Sequence, residues 1–318
     1  MQQVLFRIPF LDVPIYGYGL MLVLGMLSAI QLAKWLARRC GLDAEAFVTA
    51  GLIALVSGVA GARISHVLEN LPIYTRADLS AAENLWNMIN IRSGGLTFYG
   101  GFILATFAAL AYGRYKRVNL RLGMDIVAPA VTLGLAFGRI GCFLNGCCWG
   151  EVCDDPWGVR FPYSSPVYRS HHDQHLIPPA PPELTGVVNG QLSLIPPERF
   201  TSPRQREAAA TQHSLPVHAT QLYSAFNSLL MTALLVAFFT LRPAGGRVFA
   251  LMLVLEGFSR FMLESIRIEP PVIAGLSLSM VIGLLLVAAG AVMWWVCGRL
   301  GVVELAVRPL GAASAAQA

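Results

Sequence analysis

The stretch I-V-A-P-A-V-T-L-G-L-A-F-G-R-I-G-C-F-L-N-G-C-C-W-G, residues 126–150, is an apolar run of membrane length with a single arginine near its far end. A charged side chain inside hydrocarbon costs about 2.5–3.5 kcal/mol on insertion scales. Arg139 therefore needs a partner or an anionic ligand. Gly141, Gly146 and Gly150 are expected to break the helix and let backbone approach another group closely. Asn145 adds a neutral donor and acceptor. An arginine beside accessible backbone N–H groups at a membrane boundary suits an anionic lipid headgroup. The alternative is a glycine-rich helix end whose arginine snorkels to the interface.

The rest of the chain agrees with a lipid environment. Its 318 residues are 55% hydrophobic and 13% charged, against about 25% charged in soluble domains. The net charge of +5 is spread among connections, so it is no footprint for nucleic acid. Six cysteines, unevenly placed, do not make a disulfide scaffold. The first apolar run is too long for a signal-peptide core and is followed by Lys34, Arg38 and Arg39, which reads as an uncleaved first span.

Seven runs fit spans of about 20 residues: 15–37, 47–69, 95–113, 123–144, 219–241, 247–266 and 273–297. The expected fold is an all-α polytopic membrane protein. Lys34, Arg38, Arg39, Arg114, Lys116, Arg117, Arg121, Arg242, Arg247, Arg299 and Arg308 gather on one side of these spans. The short connections of the other side hold only Arg7, Arg76, Arg92 and Arg267. The richer side is cytoplasmic by the positive-inside rule, so the N-terminus faces out and the C-terminus in. Residues 1–150 then carry spans one to four, 151–217 an extracytoplasmic loop, 218–300 spans five to seven, and 301–318 a disordered cytoplasmic tail.

Polar residues inside the spans mark candidate chemistry. Tyr18 lies near the outer end of span one. Arg63, His66 and Asn70 follow one another at i, i+3 and i+7 on span two, a face that reads either as a packed seam or as the wall of a wet cavity. Gly58 and Ala62 form a small-xxx-small pair for helix contact. Paired glycines bracket Thr97, Phe98 and Tyr99 at the start of span three and predict irregular backbone facing protein or water. Asp125 reads as a capping residue. On span six Glu256, Arg260, Glu264 and Arg267 share one stripe, able to pair with one another or to face the bundle interior as a functional site.

The 151–217 segment is rich in proline and histidine, without strong periodicity, and reads as an outer loop partly folded over the mouth. His171, His172, Asp173 and His175 read as solvated surface rather than a metal site. Cys142, Cys147, Cys148 and Cys153 cluster at the outer boundary, where thiols bind zinc or, in an oxidising compartment, form a disulfide.

Six motifs together resemble the prolipoprotein diacylglyceryl transferase family. G-R-I-G-C-F-L-N-G-C-C-W-G at 138–150 is similar to that family's signature G-R-x-G-N-F-x-N-G-E-x-x-G. Y-G-L-M at 18–21, G-A-R at 61–63, G-G-L-T-F-Y-G-G at 94–101, H-A-T-Q-L-Y at 218–223 and R-F-M-L-E at 260–264 extend the likeness in order along the membrane part. The resemblance implies a transferase of lipoprotein biosynthesis in the bacterial cytoplasmic (inner) membrane, with its active site toward the outer face. It would move the diacylglyceryl group of phosphatidylglycerol to the lipobox cysteine thiol of a prolipoprotein signal peptide. A thioether forms, glycerol 1-phosphate leaves, and no metal or other cofactor takes part.

By motif, Tyr18, Arg139, Gly150, Arg260 and Glu264 match the family. Arg139 and Arg260 would hold the phosphate, Glu264 would orient Arg260, and Arg63, Asn145 and Gly150 would complete the lipid site. Three positions depart: Cys142 stands for the signature's asparagine, Cys147 for its glutamate and Tyr99 for its histidine. A tyrosine, with a reference pKa of about 10, is a poor base at neutral pH. The role then passes to His218, inside a matched motif, more readily than to His66. The competing class is a lipid-binding or transport protein that keeps the cavity without the transfer.

Overall fold

The computed structural model describes residues 4–8, 13–76, 78–91, 94–188, 191–241, 243–267, 272 and 275–300. The tail 301–318 and Arg92 and Arg242, used in the charge argument, lie outside the described residues, as does Arg308. An antiparallel hairpin, β1 (Val4–Ile8) and β2 (Val13–Tyr16), leads into α1 (Gly17–Arg39). Then come α2 (Ala44–Glu69), the short α3 (Leu71–Tyr74) and α4 (Ala81–Ile89), α5 (Phe98–Tyr115) and α6 (Leu120–Asn145). The next segment carries α7 (Pro166–Asp173), a second hairpin, β3 (Thr185–Val188) with β4 (Gln191–Leu194), and α8 (Pro203–Thr211). The last helices are α9 (Thr220–Thr240), α10 (Arg247–Glu264) and α11 (Leu278–Arg299).

Long helices thus stand at all seven expected positions, with the two small hairpins added to an otherwise helical chain. Five of them, α1, α2, α6, α9 and α11, are long and apolar enough to cross a membrane. The other two, α5 and α10, are 18 residues each. Glycine and tyrosine dilute α5, and Arg247, Glu256, Arg260 and Glu264 interrupt α10. Phe102, Phe107, Leu285 and Trp295 leave more than half their surface open, which hydrocarbon solvates and water would not.

The chain divides into two compact units. One is built on Ile30–Val127 with Ala244–Gly246. In it α2 lies along α5, and Gly58 and Ala62 meet Gly101 at backbone distance, as the small-residue pair requires. Asp125 does not open its helix. It sits inside α6, buried, and its carboxylate accepts from the Gly246 N–H, 2.6 Å away, just ahead of α10. The cap it makes is therefore tertiary.

The other unit holds Met1–Ala29, Ala128–Pro243 and Arg247–Arg299. Ala128, Leu235, Val248 and Met252 form a buried cluster, and Thr132 bonds Thr232 at 2.9 Å beside it. Its 151–217 segment is folded. Tyr163, Tyr168, Ala180 and Leu184 make a core, covered by Ile177, Leu194 and Phe200. The Tyr163 hydroxyl donates to the Leu184 and Ile195 carbonyls, both at 3.0 Å, and burial pushes its pKa up to about 12. This core draws residues from widely separated short pieces, so no helical or strand period announces it. The histidines there part company. His171 is 3% exposed and accepts from the Leu215 N–H at 3.3 Å, whereas His172 stacks on Tyr168 and meets Asp173.

Burial lowers the pKa of His171. Its neutral form is favoured by folding, so this contribution is fully present above the unfolded pKa of about 6.5 and is lost as pH falls through the lower folded value. Acidification is expected to speed limited proteolysis within 151–217, and His171→Asn, which keeps an acceptor for Leu215 but does not titrate, is expected to flatten that dependence. Equal pH profiles for the two proteins would remove His171 from this role.

Candidate functional site

The end of α6 builds the centre of the site. Gly141 does not break the helix, contrary to expectation. It is buried, and a Cβ there would lie 3.1 Å from the Tyr18 ring, so the glycine serves to seat Tyr18. The helix stops at Gly146, whose φ of +74° no ordinary side chain tolerates easily. The Cys147 N–H returns to the Cys142 carbonyl at 3.1 Å and the Gly146 N–H to the Phe143 carbonyl at 3.2 Å. This is the Schellman pattern. It folds Cys147 back over the last turn, and Cys148 follows with φ +60°.

The first turn of α9 holds this return in place. Thr220 Oγ1 donates to the Cys148 carbonyl at 2.8 Å, and Gln221 Nε2, fully buried, donates to the Cys147 carbonyl at 2.7 Å. Gly150 then crosses the chain at His218. Its N–H donates to the His218 carbonyl at 3.0 Å, and a Cβ there would lie 2.7 Å from Thr220 and 3.0 Å from the Ile266 carbonyl. Packing alone demands glycine at that position.

These contacts bring α6, α9 and α10 around one cavity. Arg139, Arg260 and Arg267 line it with Glu256 and Glu264. Cys148, Thr220, Ser224, Ser228 and Ser259 supply further polar wall. Three guanidinium groups face two carboxylates, an excess that favours a singly charged anion. The arginines are not equivalent. Arg267 Nη1 lies 3.4 Å from the buried Glu264 carboxylate. Neither Arg139 nor Arg260 has a hydrogen-bond or ion-pair partner among the described residues. The contact seen for Glu264 is thus to Arg267, where the motif implied Arg260.

Three further candidates are not among the residues that line this cavity. Tyr18 is 39% exposed, with its ring against Gly141. Asn145 hydrogen-bonds the Cys147 thiol. His218 does not line the cavity: its ring sits beside Tyr223 with Nε2 4.0 Å from Asp155 Oδ2. All six cysteines are free rather than disulfide-bonded. The four expected at the boundary divide. Cys142, Cys147 and Cys148 bring their sulfurs within 4.8 Å of one another, while Cys153 joins Asp155 and His218.

Arg63, His66 and Tyr99 belong to the other unit. Arg63 is buried and donates to four backbone carbonyls: Met88 at 2.8 Å, Asn87 at 2.6 Å, Gly94 at 2.6 Å and Gly95 at 3.0 Å. Its donors are spent on holding the connection into α5, which leaves little for a phosphate. The polar face of α2 is thus a packed seam rather than a cavity wall. Gly94 and Gly95 both have positive φ, the irregular backbone expected of the bracket, but its second half is regular helix, since α5 begins at Phe98. His66 packs edge-on to Tyr74 and meets Asn70, and Tyr99 is half exposed beside Phe98. Sequence reading missed the hydroxyl row Thr220, Ser224 and Ser228, although its spacing of four along an apolar helix was a legible signal.

The family model described as prolipoprotein diacylglyceryl transferase matches residues 3–296. A phosphatidylglycerol–prolipoprotein diacylglyceryl transferase of Rhodopirellula baltica is 37% identical over 158 residues, 49% of this chain and 32% of that protein. One of Corynebacterium efficiens is 31% identical over 257 residues, 80% of this chain and 69% of its own. One of Xylella fastidiosa is 27% identical over 300 residues, 92% of each chain. Against the Rhodopirellula protein the chain spans about a third of the relative's length; against the other two it spans most of it. The apolar helices and this match together make it a bacterial membrane protein, and the chain belongs to the prolipoprotein diacylglyceryl transferase family.

Proposed function

We propose that this protein transfers the diacylglyceryl group of phosphatidylglycerol to the lipobox cysteine thiol of a prolipoprotein, forming a thioether and releasing glycerol 1-phosphate. The observation that carries the reading is the pair Arg139 and Arg260. They come from two helices, line one cavity and lack a protein counter-ion among the described residues. The headgroup phosphodiester is a singly charged anion, and two forked guanidinium groups match its oxygens. The same pair stabilises the charge that grows on the phosphate as its C–O bond breaks.

In this reading seven helices cross the bacterial inner membrane, with the N-terminus outside and the C-terminus cytoplasmic. Residues 1–150 and 218–300 carry the spans, and 151–217 caps the outer face. Lipid enters from the bilayer and the signal peptide brings its thiol from the same plane. Glu264, the last residue of α10, holds Arg267 three residues beyond the helix. Tyr18 lies against Gly141, close in sequence to Arg139, where its hydroxyl serves the headgroup or the thiol. Asn145 and Gly150 shape the turn rather than touch the lipid. His218 takes the proton-acceptor role on the strength of its motif, with its ring facing Asp155 outside the cavity lining, and Tyr99 has a lesser hydrogen-bonding part.

Purified protein mixed with phosphatidylglycerol and a lipobox peptide is expected to yield peptide with thioether-linked diacylglycerol, read by mass spectrometry. Absence of product, where another family member works, would favour a lipid-binding protein without transfer. Arg139→Lys and Arg260→Lys are each expected to slow transfer about ten- to a hundredfold, the loss of one charge-assisted hydrogen bond of about 1.5–3 kcal/mol, with unchanged thermal unfolding. Full activity in either would make that arginine an interfacial anchor. His218→Ala is expected to lower the rate about a hundredfold at pH 7 and to recover partly as rising pH ionises the thiol; Tyr99→Phe should do much less. A pH–rate profile of His218→Ala that overlies the parent's would move the proton to another group.

A further inference from the structure

The three thiols at the end of α6 have no counterpart in the signature the chain otherwise resembles, where two of the positions are asparagine and glutamate. Their assembly is built, not incidental. The Schellman turn sets Cys147 over Cys142, left-handed backbone at Cys148 turns the third thiol toward them, and the carbonyls of Cys147 and Cys148 are pinned by Gln221 and Thr220. Asn145 bonds the Cys147 thiol from outside the trio, as outer partners of metal ligands do.

The geometry is close to that of a soft-metal site. Tetrahedral zinc with bonds of about 2.3 Å separates its sulfurs by about 3.8 Å. The sulfurs of Cys142, Cys147 and Cys148 already lie within 4.8 Å of one another, so side-chain rotation suffices to close on an ion. Three thiolates and one divalent ion leave one net negative charge, which Arg139 and Arg267, lining the cavity with Cys148, offset. Thiolate ligands select zinc and other soft ions over magnesium or calcium.

We propose that Cys142, Cys147 and Cys148 bind one thiophilic divalent cation, with zinc as the probe, and that its fourth position takes the incoming lipobox thiol. Three protein ligands with one open position is the arrangement of catalytic rather than structural zinc. The inference rests on the transferase reading for its second half only. A thiol bound there gives up its proton more readily, and the proton passes to His218 or water. The sulfur then forms its bond to the glyceryl carbon, the C–O bond to phosphate breaks, and the electron pair leaves with glycerol 1-phosphate. No atom changes oxidation state through an outside reagent, and the ion is returned unchanged.

The test is metal content and spectroscopy on the full-length protein, purified under reductant. About one zinc per chain is expected, and cobalt exchanged into the site should give a sulfur-to-metal charge-transfer band. Cys142→Ser, Cys147→Ser and Cys148→Ser should each weaken zinc binding at least about tenfold, and Asn145→Ala by a similar factor, as outer partners do. Cys297→Ser, far along the chain on α11, should bind zinc like the parent. Failure of the reduced protein to take up zinc, or unchanged binding in all three serine variants, overturns the site. So does a disulfide within the trio that, once reduced, still binds no metal. Transfer is measured separately: unchanged rates after zinc is stripped overturn the activating role. Zinc bound without any transfer leaves the site standing and removes the transferase reading.

Discussion

An arginine held among apolar helices must spend its five N–H groups on something, and this chain solves that constraint in three different ways. Arg63 spends them on backbone carbonyls and so becomes the bracket of a connection. Arg267 faces a carboxylate that is itself buried, an arrangement worth little as net stability but costly to break from one side. Arg139 and Arg260 line a cavity with neither solution among the described residues. A cation in low dielectric without a protein partner is strongly biased toward an anionic ligand.

The support for the pair is mostly backbone. The Schellman turn at Gly146 and the crossing of Gly150 with His218 tie the end of α6 to the start of α9, and the Glu151 N–H donates to the Ile266 carbonyl just beyond α10. Asn227 reaches Ser259 at 2.6 Å and adds a side-chain link between α9 and α10. The folded 151–217 segment begins and ends at the same crossing, so its own small core braces the point where the three helices meet.

Much of this was open to reading from residues alone. The seven helices fall where apolar runs of membrane length fall, and Gly58 with Ala62 packs as small-xxx-small pairs do. Of the glycine bracket at 94–101, Gly94 and Gly95 are irregular as expected, because two adjacent positive φ values need glycine, whereas Phe98 to Gly101 already belong to α5. Other readings failed for a common reason. Gly141 was expected to end a helix and instead seats a ring; Asp125 was expected to cap its own helix and instead caps the approach to another. Glu264 was expected on Arg260, four residues earlier, and contacts Arg267, three residues later. In each case local spacing allowed several partners and the neighbouring element chose.

The amino-acid sequence by itself determined the membrane class, the helix positions, the family and the identity of the two arginines. These follow from apolar run length, residue order and the cost of charge in lipid, all of which are local or cumulative along the chain. Only the tertiary structure decided which arginines are already satisfied, which of the four boundary cysteines converge, and that His218 faces Asp155 rather than the cavity wall. Those outcomes depend on where carbonyls and thiols far apart in the chain come to rest. Hydrogen bonds and sulfur contacts act over a few ångströms in space, and spacing along a sequence does not encode them.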